Sequence, residues 1–173
     1  MTAPVAVFAV GNRSRGDDAA GPLLLERLRA WLEAEGLAGD FDLFEAYQLQ
    51  VEDALDLEGR RLALFIDACR ATAGPVAFCA VRACGIAAGG STHALAPGSI
   101  LGVYRRVTGE APPPAFQLGV RATDFELGSP VSASTREAME EAWRILRDLA
   151  RAPRHAEWQT MAAVACASRA LPA

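Results

Sequence analysis

Two apolar runs, "LALFIDA" at 62–68 and "PVAFCAV" at 75–81, are joined by a connection that begins at Cys69 and reaches only to Pro75. Both runs are continuous rather than alternating, the pattern of strands buried on both faces. A parallel crossover between neighbouring strands takes about a dozen residues or more. These two strands therefore run in opposite directions. Elsewhere the chain alternates strand with helix. Val5–Val10 is an apolar strand that stops at Gly11-Asn12, and Leu23, Leu24, Arg27, Leu28, Trp31 and Leu32 then keep helical spacing up to Gly36. Phe41–Tyr47 reads as a strand, "VEDALDL" as a short helix before Gly59, Ser99–Val107 as a helix, and Ala115–Val120 as a strand after Pro112–Pro114. Ser134–Ala150 is a helix with Ser132 or Ser134 as its N-cap and Ala138, Ala142, Ile145, Leu146 and Leu149 on one face. The expected fold is a three-layer α/β domain over residues 1–152. Its sheet is five-stranded, twisted and mostly parallel, with one antiparallel strand and helices on both faces. Residues 153–173 form an alanine-rich tail of weak pattern, expected to be helical or loosely structured.

A chain of 173 residues, 51% hydrophobic, suits one domain with a genuine core. The net charge of −4 argues against an electrostatic nucleic-acid binder, which carries a basic face. All 17 basic residues are arginine. That excludes a P-loop lysine, a Schiff-base lysine and a lysine general base. The start, "MTAPVAVFAVG", lacks the basic region and the apolar length of a signal peptide, and no run approaches a membrane span. The four cysteines, Cys69, Cys79, Cys84 and Cys166, show no CxxC spacing. Reduced thiols in a cytoplasmic protein are the expectation.

Ligands of open α/β sheets sit beyond the carboxyl ends of the parallel strands. Asp17 and Asp18 fall in the loop after the first strand, and Asp67 ends the third. His93, one of two histidines, lies in "GGSTHALAPG" after the fourth. The ordinary role for Asp17 is to N-cap the first helix, where a carboxylate gains about 0.3–1 kcal/mol. One cap needs one carboxylate, so Asp18 is left over. Asp67 follows the buried run Leu62–Ile66, where an ionised group is costly without a partner. The glycine-rich return to His93 spans roughly 30 Å when extended, enough to reach the cleft. Two carboxylates and an imidazole from three strand ends make a divalent-metal site with open positions, for which zinc, nickel and manganese are all suitable. Other features carry less. Ser91 lacks a GxSxG elbow, Cys69 reads as a small core residue, and "GNRSRG" is not a dinucleotide fingerprint.

With these residues identified, the chain resembles the nickel–iron hydrogenase maturation peptidases from Val5 to about Ala150. "GNRSRGDDAAGPLLLERL" is similar to their GNxxxxDDxxG or GNxxxxDExxG signature, and "LFIDA" to their central strand ending in Asp-Ala. "STHALAPGSIL" resembles their histidine segment, and "FQLGVRATDFELGSPVSASTREAMEEA" their last strand, loop and helix. The resemblance implies a sheet of five strands, one antiparallel. It also implies an endopeptidase that removes the C-terminal extension of the hydrogenase large-subunit precursor once nickel is in place. Carried over position by position, the metal contacts fall on Asp18, Asp67 and His93, with catalytic roles on Asp18 and Asp67. Many members carry glutamate where this chain has Asp18. Nickel is then recognised in the precursor substrate, and no organic cofactor is implied. "YQLQVED" resembles the branch serving cytoplasmic, NAD-linked hydrogenases, and Asn12, Gln48 and Gln50 are candidates to line the peptide cleft. The expected partner is the large-subunit precursor, with no nucleic acid and no membrane, and the expected state is a monomer. Two alternatives use the same residues or architecture: a nickel-sensing chaperone that binds the precursor without cutting it, and a peptidyl-tRNA hydrolase-like hydrolase.

Overall fold

The computed structural model describes residues 2–70, 72–85 and 95–167. In chain order the elements are β1 (Val5–Val10), α1 (Ala20–Ala34), β2 (Phe41–Ala46), β3 (Leu62–Cys69), β4 (Val76–Val81), α2 (Pro97–Thr108), β5 (Ala115–Arg121), α3 (Ala133–Arg151) and α4 (His155–Ala167), with a 3-10 turn at Val51–Leu57. The sheet order is β2-β1-β3-β5-β4. The first four strands in that order are parallel, and β4 runs antiparallel to β5. The short connection after β3 thus reverses the chain, as its length requires. It does not make β4 a neighbour of β3, because β5 lies between them. Ala122 N–H donates to the Cys69 carbonyl at 3.1 Å and Arg121 N–H to that of Pro75 at 2.8 Å, so both ends of the connection are tied to the end of β5.

Strand alternation sends side chains to two cores. Val5, Val7, Leu62, Leu64, Ile66, Phe116, Leu118 and Val120 face α1, α3 and α4. Ala6, Phe8, Ala63, Phe65 and Ala115 face α2 and the 3-10 turn. Phe8 is the centre of the second core, stacked on Phe44 and on Phe65 with ring centroids 5.0 Å from each. On α1 the buried stripe is Leu24, Leu25, Leu28 and Leu32, spaced for one helical face, while Leu23 remains exposed. Each such leucine contributes about 1.5–3 kcal/mol by leaving water.

Helix α2 opens on Pro97, whose missing N–H costs nothing at that position. Helix α3 is capped by Ser132, which accepts the Thr135 N–H. The segment after Pro153 forms α4, anchored by Trp158. That indole is 1% exposed, meets Phe116 edge-on at 5.5 Å and donates to the Leu149 carbonyl at 3.0 Å. Among the described residues, no helix is long and apolar enough to cross a membrane. No disulfide joins Cys69, Cys79 or Cys84.

Candidate active site

The loop after β1 and the end of β3 meet at the carboxyl edge of the parallel strands. Asp67 is in register with Gly119 of β5, which is in register with Ala77 of β4. Its side chain leaves the sheet on the same face as Phe65, beyond the end of the second core. Burial there pushes its carboxyl up to about 6; the Ala68 N–H works against that rise and the Asp18 charge adds to it. The two carboxylates therefore sense one another, as residues sharing a site do.

Asp18 is held by its own loop. Its Oδ2 accepts the Asn12 N–H at 3.0 Å, and Asn12 Oδ1 accepts the Ser14 N–H at 2.9 Å. Beneath it lies Gly11 at φ +142°, where a Cβ would overlap the Asp18 carbonyl oxygen. A second close approach occurs at Gly21 on the first turn of α1. A Cβ there would stand 2.5 Å from the Val10 carbonyl oxygen and 3.1 Å from that of Ile66. Gly21 thus lets α1 start directly against the ends of β1 and β3, with Asp18 just ahead of it. Arg13 leaves the loop in the other direction, with Glu45 at 2.7 Å and Glu26 at 2.6 Å.

Asp17 does not cap the first helix; α1 begins without a side-chain cap. The carboxylate is fully buried and turned toward the far end of the chain. Its Oδ2 accepts the Thr123 and Asp124 N–H groups, each at 2.9 Å, and its Oδ1 accepts the Ser132 N–H at 2.7 Å. The Ser132 hydroxyl donates to Oδ2 at 3.0 Å as well. Burial alone would raise its carboxyl, but the backbone donors of Asp124, Thr123 and Ser132 together outweigh that and hold it well below the usual carboxylate range. The N-cap rule looks only at the nearest helix, whereas these donors sit 106–115 residues away. The sequence signal for a second role was the doubled aspartate itself.

His93 lies outside the described residues, so the third expected metal contact is not placed. Among the described residues, no group of three His, Cys, Asp or Glu side chains is close enough to hold a metal ion. The donor set among the described residues is the Asp18–Asp67 pair, hard oxygen ligands whose mutual repulsion a cation would relieve. The chain returns to the described structure at Leu95, whose N–H donates to the Leu49 carbonyl at 3.2 Å in an isolated bridge. That bridge sits between Gln48 and Gln50, which line a depression of about 380 Å³ with Ala46, Tyr47, Glu52 and Asp53. Gln50 also heads the 3-10 turn, its N–H donating to Asp53 Oδ2 at 2.7 Å. A second depression, about 440 Å³, lies along the outer edge of β2 between Arg29 and Arg60, away from both carboxylates. On the opposite rim Arg70 stands over the Phe125 ring at 4.1 Å, a contact that sequence spacing could not reveal.

No family model matches the chain, and no curated protein matches it in sequence. Solved structures do. The chain is similar to a [NiFe] hydrogenase maturation protease, HycI from Thermococcus kodakarensis KOD1, with TM-score 0.61 and 22% identity over 87% of this chain and 93% of that one. It is similar to the hydrogenase maturating endopeptidase HybD from E. coli, with TM-score 0.59 and 18% identity over 84% and 91%. A hydrogenase 2 maturation peptidase from a Thaumarchaeota archaeon follows the same course, with TM-score 0.56 and 19% identity over 83% and 96%. At these identities the likeness establishes a shared fold.

Proposed function

We propose that the chain is an endopeptidase that removes the C-terminal extension of a nickel–iron hydrogenase large-subunit precursor after nickel insertion. The observation that carries this reading is the pairing of Asp18 with Asp67 at the carboxyl ends of β1 and β3, one carboxyl raised by burial and by the charge of the other. Two further observations support it. The fold is shared with proteins named as hydrogenase maturation proteases. The Gly11, Asn12, Asp18 and Gly21 positions of the signature each have a geometric reason at this cleft.

In this reading Asp18, Asp67 and His93 receive the nickel-bearing end of the precursor, and the metal belongs to the substrate. Nickel there supplies positive charge against the carboxylates and polarises the scissile carbonyl. Asp67, with a carboxyl near pH 6, is the group able to exchange a proton with water at neutral pH. Asn12 holds Asp18 in place, and the Gln48–Gln50 segment forms the adjoining wall on which an extended peptide lies. The protein acts as a monomer in the cytoplasm, on this one class of partner. The "YQLQVED" segment, which resembles that of the NAD-linked branch, supports a substrate from that branch.

The test is the intact mass of the cognate large subunit. It is co-expressed with this protein or with its Asp18→Ala variant, each with and without nickel. Loss of a C-terminal peptide only with the wild-type protein and nickel is the expected result. Unchanged mass in every sample, with nickel loading verified, would replace the peptidase by a non-cleaving chaperone of the precursor. Mass loss without nickel would remove the metal requirement.

A further inference from the structure

We infer that Asp17 is a positioning residue, whose buried carboxylate ties the loop after β5 and the first turn of α3 to the loop after β1 and so fixes where Asp18 stands. The role of Asp18 in cleavage rests on the peptidase reading; the tether that holds it does not.

A buried charge is a poor way to fill space, since apolar residues of like volume often stabilise a fold as well or better. Asp17 therefore calls for a role in placement. Its acceptors are taken up by Thr123, Asp124 and Ser132, none of them in the helix it precedes. The surrounding backbone repeats the link. Asp17 N–H donates to the Asp124 carbonyl at 2.8 Å, Gly16 N–H to that of Ser129 at 3.1 Å and Gly128 N–H to that of Ser14 at 2.7 Å. Arg15 Nε adds a bond to the Phe125 carbonyl at 2.8 Å. The two loops thus form one body, and Asp18 is the next residue along it. From the other side Asp18 is gripped by Gly11 under its carbonyl and by the Asn12 N–H on its Oδ2. With the Asp17 charge removed, the Thr123, Asp124 and Ser132 donors lose their ionised acceptor, and the second loop is left on the backbone bonds and the Arg15 contact alone. Asp18 then sits on a looser loop, and its side chain leaves the Asn12 N–H by rotation.

The Asn12 amide reports on this arrangement directly. In Asp17→Asn the expected result is hydrogen exchange at Asn12 faster by about 10-fold or more, with the amides of Phe65 and Leu118 as protected as in the wild type. Single-turnover cleavage of the nickel-loaded precursor should slow by about 100-fold, the cost of a misplacement near 1 Å, while half-saturating precursor concentration stays within about 3-fold. Ser132→Ala, which removes one hydroxyl donor and leaves the backbone donors, should show the same split at smaller size. It also serves if Asp17→Asn does not fold. Unchanged Asn12 exchange in a folded variant would overturn the positioning role. So would exchange that rises equally across Asn12, Phe65 and Leu118, with cleavage lost in proportion, because that pattern marks a fold-wide effect. A wild-type protein that never cleaves the precursor would overturn the peptidase reading instead, and leave the exchange data to decide Asp17.

Discussion

Asp17 and Ser132, 115 residues apart in the chain, meet at 2.7 Å between a carboxylate oxygen and a backbone N–H. This contact joins the start of α3 to the loop after β1, and its strength depends on the carboxylate being charged. Asp17 is held well below the ordinary carboxylate range in the folded protein, so its stabilisation is present above that range and lost as pH falls through it. Wild-type protein should lose stability more steeply than Asp17→Asn between about pH 5 and about pH 2. At pH 7 the variant should be less stable by about 3 kcal/mol, the scale of a lost charged hydrogen-bond network. Urea midpoints taken across pH check both expectations.

Asp67 has the opposite sign. Its carboxyl rises from 3.8 to about 6 on folding, so its contribution is most favourable below the unfolded value and is lost as pH rises through the folded one. At pH 7.5 the ionised group costs about 1–3 kcal/mol. Asp67→Asn should therefore raise the melting temperature at pH 7.5 and lose that gain near pH 4, while abolishing processing. Thermal melts at the two pH values, paired with intact-mass analysis of the precursor, read both.

Asp18 is only partly buried, and its side chain accepts the Asn12 N–H. Asp18→Ala should abolish processing with a stability change within about 1 kcal/mol. His93→Ala should weaken recognition of the nickel-loaded precursor while leaving slow cleavage at high enzyme concentration. Normal processing by both variants at limiting enzyme would remove these side chains from the mechanism.

Trp158 carries the attachment of α4. Trp158→Ala should destabilise the protein by about 3–5 kcal/mol, the cost of a large core truncation. Deleting residues from Arg154 onward should expose Phe116 and lower the melting temperature comparably. A deletion that melts with the wild type would mean that α4 adds nothing to the core.

Much of this fold is legible in sequence because its strands are apolar runs closed by turn residues. Val5–Val10 ends at Gly11, and "LALFIDA" runs into a connection too short for a crossover. What loop length cannot encode is which strand fills a gap, so the place of β5 between β3 and β4 emerges only in three dimensions. The same limit applies at the cleft. Asp18 and Asp67 stand out as carboxylates at strand ends, but the partners of Asp17 lie beyond any local rule, and the value of Gly21 depends on the Val10 and Ile66 carbonyls above it. In the tail the pattern is faint because the face that packs on the core is mostly small: Trp158, Met161, Ala162 and Ala165 keep helical spacing, but only the tryptophan stands out from the alanines around it.

The position of β5 has a consequence for the order in which the chain becomes a protein. β4 is an edge strand whose one neighbour in the sheet is β5, and Phe78 on β4 stacks on Phe116 of β5 at 5.5 Å. During synthesis β4 emerges well before the residues it pairs with, and Trp158, which closes over Phe116, comes later still. Until then the nascent sheet is β2-β1-β3, with Asp67 on an open edge strand. Asp18 and Asp67 thus come from the amino-terminal half of the chain, while β5 and the loop that ties down Asp17 are added only from the carboxyl-terminal half.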